Sequence, residues 1–157
     1  MAKRILVPIG EGERNEAIVP VVFALAQGAG STVRLMRVFP VPESRVDSDG
    51  RMIAYGHQEM ARLTWEGLDD LGPLETQLAG IPVESVVRFG EPVEEILLEA
   101  EAFDADLIAL EASSRGRLRT ALAPGIAERV ARKATIPTLT LHVDDQAELD
   151  AGRRRCH

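Results

Sequence analysis

The sequence predicts an α/β fold: a single, doubly wound, five-stranded parallel sheet of order 3-2-1-4-5 with helices on both faces. Three observations lead there. Apolar runs of strand length alternate with helical stripes five times along the 157 residues. The opening run, Ile5 to Ile9, is short, β-branched and free of charge, as in a strand covered on both faces. The stretch from Leu107 to Leu141 reads as strand, polar arginine-bearing loop, helix and strand. That is the layout of a phosphate-cradling loop at the mouth of a parallel sheet. One domain is expected over residues 1–144. Residues 145–157 lack apolar periodicity and are expected to form a loose tail.

The elements follow in order. After the turn Gly10-Glu11-Gly12, Ile18, Val21, Val22 and Leu25 recur at helical spacing. Pro20 is tolerable only near the first turn, so a late start or a kink is expected. Gly28 and Gly30 punctuate the end of this helix. Thr32 to Phe39 is the second strand. Pro40 to Gly56 carries two prolines, alternating charges and Asp49-Gly50, and is expected to be a surface loop. His57 to Leu71 is helical, with Met60, Leu63, Thr64, Gly67, Leu68 and Leu71 on or near one face. Gly72-Pro73 is expected to interrupt it, with Leu74 to Leu78 able to add a further turn.

Pro82 to Phe89 is the third strand. Pro92 then suits the first turn of a helix, whose core stripe is Val93, Ile96, Leu97 and Ala100. Leu107 to Leu110 is the fourth strand. A helix from about Gly125 to Ala134 is expected to bury Ile126, Ala127, Val130 and Ala131. Pro137 leads to the fifth strand, Thr138 to Val143.

The bulk numbers narrow the function. The hydrophobic content of 45% is ordinary for a globular chain. A net charge of −7 and a pI near 5.0 argue against nucleic acid or an anionic membrane surface as the main partner. Arg115, Arg117 and Arg119 form a local exception. The one cysteine, Cys156, allows no disulfide framework within a chain. The apolar start turns polar after Ile9, too early for a signal peptide or a membrane span. A cytoplasmic location is the expectation.

In sheets of this kind ligands bind beyond the carboxyl ends of the strands, where strand order reverses. That crevice lies between strands one and four. Gly10 and Glu11 line one side, and Glu111 to Gly116 line the other.

Three blocks of the chain resemble the universal stress protein family. RILVPIG is similar to its opening strand. FGEPVEEILLEAEAFDADLIAL is similar to its Gly-x-Pro helix and fourth strand. GIAERVARKATIPTLTL is similar to its closing helix and strand. The resemblance spans about Lys3 to Val143 and implies a universal-stress-protein-like fold. It also implies a site. Nucleotide-binding members carry Gly-x2-Gly-x9-Gly-[Ser/Thr] and an aspartate after the first strand. Laid on this chain without gaps, the three glycines fall on Glu111, Ser114 and Pro124. The hydroxyl position falls on Gly125 and the aspartate on Gly10. All five depart from the pattern.

Each departure weakens a triphosphate site. At about 6 Å and an effective dielectric of about 20, each unit of like charge against Glu111 costs roughly 3 kcal/mol. Pro124 has no amide hydrogen and Gly125 no hydroxyl. Losing two hydrogen bonds to a charged group costs on the order of 3–6 kcal/mol, and each 1.4 kcal/mol is about tenfold in affinity. A micromolar ATP site would fall to the millimolar range. No cofactor is therefore expected, with ATP or AMP as the alternative. The candidate ligand residues are Pro8, Ile9, Gly10, Val38, Glu111, Ser113, Ser114, Arg115, Arg117 and Gly125. Against a site stand simpler accounts: a solvated loop for the arginines, and a capping or ion-pair role for Glu111. In favour of one, the serines and arginines could rebuild an anion site beside the next helix start.

Other chemistry is sparse. Glu94, Glu95, Glu99 and Glu101 are expected on the solvated face of their helix rather than in catalysis. The three histidines share no metal-ligand face, and no serine has a partnered histidine and acid. Trp65 is expected in core packing or a subunit contact. The last strand, Thr138, Leu139, Thr140, Leu141, His142 and Val143, is an edge that invites pairing, and the family often dimerises there. The expected protein is thus a stress-response regulatory or binding homodimer without tight ATP binding and not an enzyme. It would act on protein clients that the sequence does not name. The alternative is a nucleotide or anion sensor. A weak hydrolase relying on Glu111 is a third, less supported possibility.

Overall fold

The computed structural model describes residues 3–10, 17–43, 45–46, 48–54, 56–113 and 125–143. Seven strands and four helices occupy them: β1 (Arg4–Pro8), α1 (Ile18–Ala29), β2 (Thr32–Phe39), β3 (Arg45–Val46), β4 (Met52–Ala54), α2 (Gly56–Gln77), β5 (Val83–Phe89), α3 (Pro92–Phe103), β6 (Leu107–Ser113), α4 (Ile126–Lys133) and β7 (Thr138–Val143). The main sheet runs β5-β2-β1-β6-β7. Every pairing in it is parallel. Counting only these five strands, this is the 3-2-1-4-5 order the alternation predicts.

Two apolar layers cover the sheet. On one face Ile5, Val7, Val33, Leu35 and Ala109 pack with Ile18, Val22 and Ala26 of α1 and with Leu71 and Leu74 of α2. On the other, Leu6, Met36, Ile108 and Leu110 pack with Val93, Ile96 and Ala100 of α3 and with Ala127 and Val130 of α4. Successive side chains of a strand point to opposite faces, so the uninterrupted apolar runs of β1 and β6 feed both layers.

Pro20 is the third residue of α1. It falls in the first turn, where the missing N–H has no intrahelical partner anyway, so the helix starts late, at Ile18. Gly30 closes α1 at φ 65° and returns its N–H to the Ala26 carbonyl. That left-handed conformation is open to glycine at little cost. Gly67 is needed because of close packing. A Cβ there would lie 2.8 Å from Val87 and 2.9 Å from Phe39, so α2 rests directly on β2 and β5.

Six expectations are corrected, Glu99 last. Residues 40–56 are not wholly loop, because β3 and β4 pair antiparallel within them; a two-stranded ribbon this short leaves no period to read. Helix α2 is not interrupted at Gly72-Pro73 but runs on to Gln77. Leu71, Leu74 and Leu78 are all buried, and each contributes about 1.5–3 kcal/mol, which together exceeds the roughly 3 kcal/mol cost of an interior proline. Strand β6 extends three residues past Leu110, because β7 pairs with it as far as Ser113. In α4 only Ala127 and Val130 are buried. Ile126 is 47% exposed, and Ala131 is exposed as well. Of the two roles expected of Trp65, core packing is excluded by its 76% exposure.

Glu99 departs furthest from expectation. It is 4% exposed, not solvated. Its Oε1 accepts from Arg34 Nη1 at 2.7 Å and its Oε2 from Arg88 Nη1 at 2.6 Å. Arg34 also pairs with Glu84, its register partner on β5, and stacks 4.1 Å over the Phe103 ring. Arg88 reaches Glu95 at 2.7 Å. The network binds α3 to β2 and to the edge strand β5.

Candidate functional site

Between the carboxyl ends of β1 and β6 the sheet opens into a cavity of about 330 Å³. Strand β1 is followed in the chain by β2 on one side and β6 by β7 on the other, so the chain departs from this point in opposite directions. Pro8, Ile9, Gly10, Val38 and Glu111, all candidates from sequence, line the cavity. Met36, Pro40, Pro92, Ile96, Leu110, Ile126 and Ala127 line it too. Sequence reasoning missed these seven. Most belong to the core stripes of β2, α3, β6 and α4, and periodicity does not distinguish the end of a stripe that faces a cavity from its packed middle.

The other candidates stand differently. Ser113 ends β6 opposite Val143. Gly125 is the N-cap of α4 with extended backbone and supplies no side-chain cap. It borders the cavity through its neighbour Ile126. Ser114, Arg115 and Arg117, like Glu11, Arg119 and Pro124, lie outside the described residues.

Glu111 is the one ionisable residue among the described residues that line the cavity. The N-cap of α1, Ala17, offers no side-chain cap, and the first turn of the helix has no acidic residue. The Glu111 carboxylate fills that role from across the fold and accepts the Ile18 N–H. One orphan donor of the helix start is thereby satisfied. Its Oε2 is buried and has no hydrogen-bond partner among the described residues. Burial pushes the Glu111 carboxyl above the usual carboxylate range, against the smaller downward pull of the Ile18 N–H.

The far wall is tied together by a second carboxylate. Glu91 caps α3 by accepting the Glu94 N–H at 2.8 Å, and Arg129 of α4 donates to it at 3.2 Å. The Glu94 N–H first, then the Val93 N–H and Arg129, hold the Glu91 carboxyl below its ordinary value despite the opposing effect of desolvation. This pair bridges the two helix starts whose Pro92, Ile126 and Ala127 face the cavity.

Arg37 went unmarked in the sequence. It is 7% exposed, donates to the Gly10 carbonyl at 3.4 Å, lies 3.6 Å from Asp70 and stacks 4.9 Å over Phe39. A second cation, after Arg34, in a strand that is mostly apolar was the available signal. It braces the β1 end of the crevice from the α2 side.

Among the described residues no three of His, Cys, Asp and Glu gather as a metal site. No helix among them is long and apolar enough to cross a membrane. The edge strand β7 pairs with β6 on one side only. Leu139 and Leu141 join the α1-side core in part, and His142 is exposed.

Comparison with known proteins accords with this geometry. The model of the Universal stress protein family matches residues 1–142. Among solved structures, the hypothetical protein MJ0577 is similar at TM-score 0.69 and 23% identity, over 90% of this chain and 96% of that one. A universal stress protein in complex with cAMP aligns at TM-score 0.61 and 16% identity, over 90% and 97%. The universal stress protein from Archaeoglobus fulgidus in complex with dAMP aligns at TM-score 0.58 and 18% identity, over 87% and 95%. A search of curated proteins returned no match. Fold, strand order and the family match over residues 1–142 agree: the chain belongs to the universal stress protein family.

Proposed function

We propose that this protein is a regulatory binding module of the stress response, a cytoplasmic homodimer that does not hold ATP tightly and acts through protein contacts rather than catalysis. The observation that carries this reading is Glu111. It stands where nucleotide-binding relatives place a glycine, on the wall of the crevice, with one buried oxygen unpartnered among the described residues. A triphosphate seated there would meet a carboxylate instead of bare backbone, in surroundings where like charges repel more strongly than in water. Gly10, on the opposite wall, lacks the carboxylate expected to meet an adenine.

Calorimetric titration with ATP tests the reading. No saturable binding below about millimolar concentration is expected, from the loss of roughly 3–6 kcal/mol in donors. Micromolar ATP affinity overturns it.

A second reading is favoured by a separate observation. The cavity remains open and mostly apolar in its lining, and two relatives are complexes with cAMP and dAMP. A nucleoside or monophosphate places less negative charge near Glu111 than ATP does. AMP binding at micromolar affinity, with ATP at least tenfold weaker, would favour this sensor over the ligand-free module.

The dimer rests on β7, whose outer edge leaves backbone groups open to antiparallel pairing with a second copy. Sedimentation at micromolar concentration is expected to give twice the chain mass of 17.1 kDa. A monomer at that concentration removes the dimer from the proposal.

A further inference from the structure

On the outer side of α2, away from the crevice, Trp65, Glu66, Leu68 and Asp69 line an open groove. Trp65 is the only tryptophan of the chain and is 76% exposed. An aromatic of this size, left out of the core on a well-formed helix, is the residue type most enriched at binding hot spots. Positions 65, 68 and 69 are three and four residues apart, so the indole, the leucine and the Asp69 carboxylate share one helical face.

The charge around the indole is one-sided. Helix α2 carries Glu59, Glu66, Asp69, Asp70 and Glu75 against a single Arg62. Arg62 is already engaged by Glu59 and, at 3.0 Å, by Glu66. Asp70 lies 3.6 Å from Arg37. Asp69 is exposed and has no hydrogen bond or ion pair among the described residues.

We propose that this face of α2 is a docking site for a basic segment of a partner protein. An arginine or lysine would stack on Trp65, hold its charge against Asp69 and lay its aliphatic stem along Leu68. Charge complementarity selects this occupant. A second copy docking by the same face would bring Glu66 and Asp69, which line the groove, against their own copies, and an isologous contact repeats every repulsion on both sides. The groove is also remote from the β7 edge. Helix α2 packs on β5 and β2, at the opposite side of the sheet, so pairing through β7 leaves it open. The inference stands whether or not the crevice binds a nucleotide.

The lone tryptophan reports on its own site. The full-length protein is titrated with a short arginine–leucine peptide, with a glutamate–leucine peptide as control, while Trp65 emission is followed. A saturable blue shift or quench is expected with the basic peptide only, and it weakens as salt shortens electrostatic reach. Asp69→Asn keeps the reporter and is expected to weaken binding about tenfold. Trp65→Ala, followed by anisotropy of a labelled peptide, is expected to weaken it at least as much. Three results would each overturn the proposal: no saturable response, an equal response to both peptides, or unchanged affinity in both variants. The last would mean diffuse attraction to an acidic protein. Circular dichroism of each variant checks that α2 remains folded.

Discussion

Glu99→Ala lowers the unfolding free energy by about 3 kcal/mol, the low end of what breaking a buried ion pair costs. The reason is specific to this carboxylate. Its two oxygens take one guanidinium each, at 2.7 Å from Arg34 and 2.6 Å from Arg88. Removing it leaves Arg34 with Glu84 alone and Arg88 with Glu95 alone under α3. Their side chains keep 23% and 29% exposure, so water recovers part of the loss, which places the effect at the low end. Urea denaturation measures it. Glu94→Ala, on the exposed face of the same helix, is the control and is expected to change stability by about 0.5 kcal/mol or less. Equal midpoints for the two variants would mean that the network only decorates the fold.

Glu111→Gln is expected to act on both stability and ligand preference. The folded-state pKa of Glu111 is raised by burial. In the window between its unfolded and folded values the native state therefore binds more protons than the unfolded state, and stability falls as pH rises through it. The contribution of Glu111 is fully present below the unfolded pKa and lost above the folded one. The glutamine has no such transition. Wild type and variant should therefore be closest in stability at acid pH. Towards neutrality the variant should gain by about 1 kcal/mol, because a neutral amide is less costly to bury than a carboxylate while its oxygen still caps Ile18. Denaturant midpoints at a series of pH values read this directly. A constant difference across pH would remove Glu111 from the account. The same change removes a like charge from the crevice. For a phosphate about 6 Å away the repulsion lost is roughly 3 kcal/mol, or about a hundredfold in affinity for AMP. If AMP binds both forms equally, the carboxylate does not govern the crevice.

Much of the fold was legible because parallel sheets bury strands on both faces. An uninterrupted apolar run such as Ile5 to Ile9 does not suit a half-solvated strand and is too short for a helix. The strand Thr138 to Val143 was read to the residue. The errors share a cause. Pro73 marks a break by local propensity, but three leucines packed into the core hold the helix together. Glu99 looks like surface on a helical wheel, because the wheel does not show that Arg34 and Arg88 reach over from two strands. In the crevice, two of the residues marked by motif position, Gly10 and Glu111, stand on its wall, while Gly125 borders it only through Ile126. The other seven wall residues, all apolar, carried no mark.

The sequence alone determined the class of fold and the order of the five strands of its main sheet and their helices, because periodicity and residue type act locally along the chain. Only the tertiary structure decided what the unexpected residues do: that Glu111 caps α1 from another strand, that Glu99 holds two arginines, and that Trp65 is left outside. The partners in such roles stand far apart in the chain, 65 positions in the case of Glu99 and Arg34. Burial, which sets their energies, is a property of the assembled chain.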